Sequence, residues 1–257
     1  MAGFLSTNFF TNSFSAGFEV FACRFDSSDS SEMARTIGTP TNADKWTCSW
    51  WQKRSTASFF DVAFGGHSSG EVYDMIYHHQ SDNTIRWEAQ NGTSSYSVYS
   101  TGSYGSGTWR HYVMHYDSGN STSTDRLNIF INGSQLSEST RYSGHPPSGR
   151  DSVANTSGAS FNIGHIPTYN GNTNGLFSEF TFVDGSILAP TSFAQDNGGT
   201  WSAKDFKDDI TFGNNGFYLT FSNSSALGED FSGNDNDFTL SNIASDHQVT
   251  DDLPPIS

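Results

Sequence analysis

The sequence predicts an all-β protein that forms a sandwich or a barrel. Aromatic residues make up 15% of the chain, with 22 Phe, 10 Tyr and 6 Trp, and this composition suits strands that enclose a thick core. About a dozen short segments alternate between apolar and polar residues, and clusters of Gly, Asn and Ser separate them. Only one segment is a plausible helix, so the fold class is all-β.

The segments follow one another without a visible linker or repeat, which indicates one domain over 18–257 after an N-terminal arm at 1–17. The loop at 139–158 is long and polar, and loops of this length often carry function. One short helix is expected at 189–196, with Pro190 near its start. The C-terminal tail is expected to be extended. Strands are predicted at 18–25, 46–54, 57–64, 70–78, 83–89, 94–99, 107–116, 125–132, 159–166, 176–184 and 216–221.

A long hairpin over 109–133 is the most informative segment. Residues on each strand alternate in character, so each strand is expected to divide its side chains between two faces. The dipeptide Asn132-Gly133 is a strong signal for a type I′ turn, because both residues tolerate positive φ. Strands of this length belong to a large sheet. The core candidates of the hairpin are Trp109, Val113, Leu127, Ile129 and Ile131.

The net charge of −15 restricts the possible partners. An acidic chain repels phosphate backbones and anionic lipids, so we expect neither nucleic-acid binding nor membrane binding. The N-terminal sequence lacks the basic region and unbroken apolar run of a signal peptide. No stretch approaches about 18 apolar residues, so no transmembrane helix is expected. A polar surface made of Ser, Thr, Asn and Gly suits a protein that is extracellular or bound to a particle.

The chain has two cysteines, Cys23 and Cys48. Both lie in apolar, strand-like segments, where small buried hydrophobes are the simplest interpretation. A disulfide between them is left open, because it requires Cα positions that a sequence does not give.

Three motifs follow one another along the chain: WTCSWWQKR (46–54), TWRHYVMHYD (108–117) and RLNIFINGSQL (126–136). Each resembles a segment of laminin-G-like, concanavalin A-like domains, and they occur in the same order as in those domains. FNIGHI followed by GLFSEFTFVDGSIL (161–188) resembles a further part of their pattern. The resemblance covers residues 18–245 and implies a two-sheet antiparallel jelly-roll sandwich.

Two longer blocks, 23–55 and 177–242, resemble a narrower subgroup found in bacteriophage virion proteins. This resemblance implies a non-enzymatic virion structural protein that decorates the capsid or forms part of a head or tail appendage. It would be assembled in the host bacterial cytoplasm as a homo-oligomer on the particle. The arm at 1–17 would dock to other virion proteins. The alternative is a tail-fibre lectin that recognises host surface glycans, since sandwiches of this type often bind sugars.

The segment DFSGNDNDF (230–238) concentrates side-chain oxygens. Such a loop suits Ca²⁺, which takes about six to eight oxygen ligands, and related domains often hold a calcium ion. The alternative is a network of Asx turns that closes the loop without a metal. No other cofactor is expected. The calcium candidates are Asp230, Asn234, Asp235 and Asp237.

A lectin with this fold needs exposed aromatic rings beside polar side chains. Trp50 and Trp51 are adjacent, so they face opposite sides of their strand, and one of them is expected in the core while the other can be exposed. Burial in the core is the alternative for all of the candidate rings. The glycan-binding candidates are Trp51, Trp87, Tyr96 and Tyr99.

The sequence offers no catalytic carboxylate pair. Glycanases with this fold carry Glu and Asp at alternate strand positions, which places both groups on one face across the sugar. Glu71 and Asp74 are three residues apart, and Glu179 and Asp184 are five apart, so each pair falls on opposite faces. We therefore expect a protein that is not an enzyme.

Histidines form a second possible metal site. His111 and His115 share a face of one strand, and His78 and His79 end another, so they could bind a metal across the sheet. The favoured interpretation is that His111 is a hydrogen-bonded strand residue of the fold.

Overall fold

A computed structural model confirms a sandwich of two large antiparallel sheets. The structure describes residues 17–55, 60–167 and 169–257, with only the backbone for 169–170. The predicted N-terminal arm lies outside the described residues except for Gly17, and so do residues 57–59 of one predicted strand.

The strands carry the labels used below, in chain order. They are β1 (Ala22–Phe25), β2 (Glu32–Thr36), β3 (Lys45–Arg54), β4 (Phe60–Ser69), β5 (Val72–His79), β6 (Ile85–Asn91), β7 (Ser94–Ser100), β8 (Arg110–Asp117), β9 (Leu127–Ile131), β10 (Ser134–Gln135), β11 (Glu138–Tyr142), β12 (Ser160–Ile163), β13 (His165–Ile166), β14 (Tyr169–Asn172), β15 (Gly175–Asp184), β16 (Ala194–Asn197), β17 (Thr200–Ala203), β18 (Phe217–Leu219), β19 (Thr239–Ser241) and β20 (Gln248–Val249). Short 3₁₀ turns lie at Ser123–Asp125, Val153–Asn155, Pro190–Ser192, Lys207–Asp209 and Ser245–His247.

The first sheet has the strand order β10-β9-β8-β3-β15-β1-β20, and β18 also pairs with β15. The second sheet has the order β11-β7-β6-β5-β4-β12-β2-β19. One edge of β15 is shared, because β1 pairs with Gly175–Ser178 and β18 pairs with Phe180–Phe182. Glu179 lies at the change of partner in an irregularity of the ladder, with φ of 50°.

The main core lies between the two sheets and is rich in aromatic rings. Trp50 stacks on Tyr112 with ring centroids 5.3 Å apart, and Trp46 stacks on Tyr116 at 5.4 Å. The ring of Phe64, on the second sheet, meets both tryptophans edge-on. Pairs in these geometries contribute about 0.5–1.5 kcal/mol each beyond the area they bury. The aromatic composition of the sequence is thus used mainly to join the two sheets.

The outer face of the first sheet is also buried. Residues 186–212, here called the covering segment, cross this face together with the C-terminal tail. The Thr47 hydroxyl donates to the Ser186 carbonyl at 2.8 Å and accepts from the Leu188 amide at 3.0 Å. The tail is held by Asp252, which accepts hydrogen bonds from Lys53 and the Trp109 indole. The buried side chains on this face include Val113, Val183, Phe193, Phe206, Phe212 and Tyr218.

Two buried carboxylates fasten the loops to the sheets. Asp184, at the end of β15, accepts hydrogen bonds from the amides of Thr41, Asn42 and Asn215 and from the Asn155 side chain, at 2.6–3.1 Å. Asp74 is the second buried carboxylate, and it fastens the loop after β11. It accepts hydrogen bonds from the side chains of Arg150 and Ser152 and from the amide of Val153.

Most predicted strands are confirmed, but two predicted non-strand segments are wrong. The helix expected at 189–196 is a single 3₁₀ turn at Pro190–Ser192, followed by β16, which pairs with β17. The loop expected at 139–158 begins inside β11, which pairs with β7. The strands β11 and β16 consist mostly of polar residues, so neither shows the alternation of apolar and polar residues on which the strand prediction depends.

The hairpin and the cysteines agree with the sequence. Asn132 and Gly133 have φ of 47° and 79°, as a type I′ turn requires. Four of the five core candidates of the hairpin are buried, and Trp109 is partly buried. Cys23 and Cys48 are both free and buried, and burial raises the pKa of each thiol above its usual range.

We predict that Asp184→Asn lowers the free energy of unfolding by about 3 kcal/mol, because four donors lose a buried carboxylate acceptor. Urea denaturation measures the change. Asp151→Asn is the matched control, since Asp151 is exposed and should change stability by no more than about 0.5 kcal/mol. Equal effects at the two positions would contradict the fastening role of Asp184.

Candidate ligand-binding clefts

Two of the predicted glycan-binding rings are buried, so that prediction is wrong for them. Trp51 is 2% exposed and Trp87 is 0% exposed. Trp51 lies under the covering segment, where it packs with Ala194 and Ala203. Trp87 lies between the sheets and contacts the Tyr116 ring at 6.1 Å. A sugar cannot stack on either ring without removal of the structure above it.

The other two predicted rings are partly exposed but lie apart from each other. Tyr96 and Tyr99 are three residues apart on β7, and therefore lie on opposite faces of the second sheet. The guanidinium of Arg150 lies 5.7 Å from the Tyr96 ring, and that of Arg86 lies 5.4 Å from the Tyr99 ring. Each ring already has a cation over it, and the four predicted residues do not form one site.

The predicted calcium loop is a hydrogen-bonded turn network. The Asp230 carboxylate accepts hydrogen bonds from the amides of Tyr218, Ser232 and Asn236 and from the Ser232 hydroxyl, at 2.8–2.9 Å. Asp237 accepts from the amide of Asp230. Because N–H and O–H donors already occupy the Asp230 oxygens, the Asx-turn alternative describes this loop better than a metal site does.

The remaining calcium candidates point in different directions. Asn234 uses its amide to donate to the carbonyls of Gly213 and Gly216, at 2.8 and 2.9 Å. Asp235 is exposed, in a left-handed backbone conformation. Across the described residues, no three His, Cys, Asp or Glu side chains come together in a way that could hold a metal ion. Calcium binding at this loop therefore stays a prediction that the arrangement of these side chains does not support.

A chain of hydrogen bonds runs from the first sheet into the covering segment through His111. The Trp201 indole N–H donates to His111 Nδ1 at 3.0 Å, so the ring proton of His111 lies on Nε2 and is donated to Ser49 Oγ at 2.8 Å. Burial lowers the pKa of His111 to about 3. His111 is thus a neutral, hydrogen-bonded strand residue, and its occupied nitrogens leave no ligand for a metal.

The Trp201 indole lines an open cleft, here called the Trp201 cleft. Its volume is about 420 Å³, and polar and apolar groups contribute to its walls in similar measure. Gly133 packs so closely on the ring that a Cβ there would lie 2.7 Å from Cη2. Trp201 is only half-buried, so part of an apolar ring remains accessible in a fixed orientation. The cleft is lined by Asn132, Gly133, Ser134, Thr191, Asp196, Gly199 and Trp201.

A second cleft, the Asp117 cleft, lies at the other end of the β8–β9 hairpin. It has a volume of about 510 Å³ and is also open. Lys45 forms an ion pair with Asp117 at 3.1 Å, and His115 Nε2 donates to the Leu188 carbonyl at 2.7 Å. Ile187 is 37% exposed and gives the cleft an apolar wall. The further lining residues are Asn120, Asp125, Asn128, Gly185 and Ser186.

Sequence reasoning missed Trp201, although a local signal was present. Gly198 and Gly199 have φ of 63° and 92° in the turn between β16 and β17. An Asn-Gly-Gly turn of this kind predicts a hairpin, and a hairpin would have placed Trp201 on a strand. The contact with His111 joins residues 90 positions apart, and no short-range pattern indicates it.

The carboxylates considered for catalysis all have structural partners. Glu71 accepts a hydrogen bond from Gln90, and Asp74 and Asp184 are the buried fastening groups described above. Glu179 accepts from the Tyr218 hydroxyl beneath the covering segment, where burial raises the pKa of Glu179 to about 8. None of these four carboxylates lines either cleft.

Comparison with known proteins agrees with the fold. Residues 26–191 match the Laminin_G_3 family model, described as the concanavalin A-like lectin/glucanases superfamily. No curated protein matches the chain. Within the described residues, no helix has the length and apolar character needed to cross a membrane.

Similar solved structures share low sequence identity with the chain. The heptameric SAP-like pentraxin of Limulus polyphemus has 14% identity and a TM-score of 0.49, and the match covers 67% of this chain and 80% of that one. Domain 4 of the arabinanase AbnA of Geobacillus stearothermophilus, in complex with arabinotriose, has 16% identity and a TM-score of 0.46, with coverage of 60% and 67%. The LG1–3 region of the laminin α2 chain has 12% identity and a TM-score of 0.48, with coverage of 65% and 31%.

We predict that the stabilising effect of His111 decreases as the pH falls below about 6.5. The pKa of His111 is about 3 in the folded protein and about 6.5 for an unfolded histidine, so over that range the unfolded chain binds an extra proton. The difference in unfolding free energy between wild type and His111→Gln should shrink by up to about 1.4 kcal/mol per pH unit. Urea denaturation from pH 7 to pH 4 measures it, and a constant difference would contradict the prediction.

Proposed function

Because the chain belongs to the concanavalin A-like lectin/glucanase superfamily, we propose that it is a non-enzymatic protein that binds a neutral glycan in the Trp201 cleft. One observation carries the proposal: His111 and Gly133 hold a half-exposed indole in a fixed orientation, beside polar groups on Asn132, Ser134 and Asp196. Sugars present C–H faces and hydroxyl edges, so an apolar ring next to hydrogen-bonding groups matches their chemistry.

The charge of the protein supports a neutral ligand. The net charge is −15, and the cleft itself contains Asp196 without a basic side chain among its lining residues. A glycan that carries carboxylates or sulfates would be repelled by this field. Neutral sugars avoid this repulsion and can still form hydrogen bonds with the polar side chains of the cleft.

The absence of a catalytic pair at the cleft supports binding without hydrolysis. Glycoside hydrolysis needs two carboxyl groups about 5–10 Å apart on opposite sides of the scissile bond. Asp196 is the one carboxylate that lines the Trp201 cleft, and its Oδ1 accepts a hydrogen bond from the Gly199 amide. We therefore expect a bound glycan to dissociate from the protein without being hydrolysed.

We predict that filling the Trp201 cleft abolishes glycan binding. Ser134 is exposed and lines the cleft, so Ser134→Arg should block it without loss of fold, and Trp201→Ala should weaken binding by about tenfold or more through loss of the stacking surface. An array of neutral and acidic glycans, followed by calorimetry on the neutral glycans that bind, measures the effect.

Ser137→Arg is the matched control, because Ser137 is exposed on the same edge of the protein but outside the cleft. It should bind like the wild type, and all three variants should be compared for thermal stability. An array that detects no neutral glycan, or a Ser134→Arg variant that binds like Ser137→Arg, would refute the proposed site.

A second proposed function is that of a structural protein of a bacteriophage virion, in capsid decoration or an appendage. The resemblance of 23–55 and 177–242 to phage virion proteins favours it. These blocks contain Asp184 and Asp230, two carboxylates that hold loops, whereas Asp74 lies outside them. The two functions are compatible, since a virion protein that binds glycans would place the particle at a host surface.

We predict that a variant lacking residues 1–17 folds but is not incorporated into particles, since this segment would be the arm that docks to other virion proteins. Mass spectrometry of purified particles measures incorporation, and cryo-electron microscopy locates the protein. Ser137→Arg, which keeps the arm, should be incorporated like the wild type. Particles that retain the truncated protein would contradict the docking role.

A further inference from the structure

We propose that the Trp201 cleft and the Asp117 cleft are two subsites of one groove that binds a neutral oligosaccharide longer than a disaccharide. This proposal rests on the proposed function and names the class of glycan. The two clefts are lined by the same hairpin over 109–133 and by the same covering segment, so a single extended ligand could occupy both.

The register of the hairpin places the clefts in line. Asn128 lines the Asp117 cleft and Asn132 lines the Trp201 cleft. Four residues of extended chain span about 13 Å, and Asn132, with φ of 47°, begins the turn, where its Oδ1 accepts a hydrogen bond from the His111 amide. His115 pairs with Asn128 across the hairpin, and it binds the Leu188 carbonyl of the covering segment. The residues that line the two clefts are therefore about 13 Å apart along the strand direction, so a ligand must be extended to contact both.

The covering segment also runs from the Asp117 cleft to the Trp201 cleft. Leu188 lies at the Asp117 cleft, and Thr191, three residues further on, lines the Trp201 cleft. Both clefts thus lie beside this segment, one at the ends of β3, β8 and β15 and the other at the turn between β9 and β10. Ala189 and Thr191 are exposed.

A polar side chain connects the clefts on the other margin. Gln135, on β10, is exposed and pairs with Phe130, which lies between Asn128 and Asn132 on β9. Its amide donates to Asn128 Oδ1 at 2.5 Å. The side chains between the two subsites are therefore the amides of Gln135 and Asn128 beside the half-buried Phe130 ring, a mixture of polar and apolar groups.

The second subsite has the same mixture of groups as the first. Ile187 offers an exposed apolar surface, and Asn120, Asn128 and Asp125 offer amide and carboxylate groups. The one basic side chain, Lys45, is paired with Asp117. The Asp117 cleft thus suits a neutral sugar for the same reasons as the Trp201 cleft.

The test uses ladders of cello-, laminari-, malto- and xylo-oligosaccharides from two to six sugars, measured by calorimetry. For any ladder that binds, affinity should rise by about tenfold or more between the disaccharide and the longer members and then become constant. An affinity that is already constant from the disaccharide onward would overturn the two-subsite groove but leave glycan binding in place. Failure of all ladders and of the glycan array would refute both.

Variants separate the two subsites. Ile187→Arg fills the Asp117 cleft and should reduce the affinity for the hexasaccharide by about tenfold, while the affinity for the disaccharide stays unchanged. Ser134→Arg should abolish binding of both. Thr124→Arg is the matched control, since Thr124 is exposed near the Asp117 cleft but does not line it. Equal hexasaccharide affinities for Ile187→Arg and Thr124→Arg would overturn the proposal.

Discussion

The rest of the structure depends on the burial of the first sheet on both faces. A sheet covered on one side can leave polar side chains in water, but here the outer face must satisfy them within the protein. Ser49 does so through His111, and Thr47 through the backbone of the covering segment. The hydrogen bonds that satisfy the buried polar groups of the sheet also fix the position of the covering segment. Burial of the outer face and placement of the segment therefore have one cause.

The candidate site follows from the margin of this cover. Where residues 186–212 meet the β8–β10 edge, side chains from the sheet and from the segment face each other across open space. Trp201 is the clearest case, because its indole N–H must find an acceptor once it is half-buried, and His111 supplies one. A rigid ring at a polar edge results from packing requirements, and it is also what a sugar-binding surface needs.

The sequence predicted the parts of this arrangement that depend on local pattern. Alternation and the Asn132-Gly133 turn located the hairpin, because strand faces and positive φ are properties of neighbouring residues. Alternation also placed Trp51 opposite Trp50, but it could not tell that a segment about 150 residues later in the chain covers Trp51. The alternation period indicates the face of the strand on which a side chain lies. Its exposure depends on segments that are distant in the sequence. For the same reason, the pairing of Trp201 with His111 was not predictable.

The acidic loops show how partner atoms decide between two roles for the same residues. An oxygen-rich sequence alone allowed calcium at 230–238, yet the Asp230 carboxylate accepts four hydrogen bonds. Asp184, one of the two carboxylates that fasten loops to the sheets, also accepts four. A carboxylate whose lone pairs face N–H donors would have to give up those bonds to bind a cation, and the loop would then lose its closure. The composition of the sequence therefore predicted where carboxylates cluster. The hydrogen-bond donors that point at these carboxylates determine that they hold loops in place.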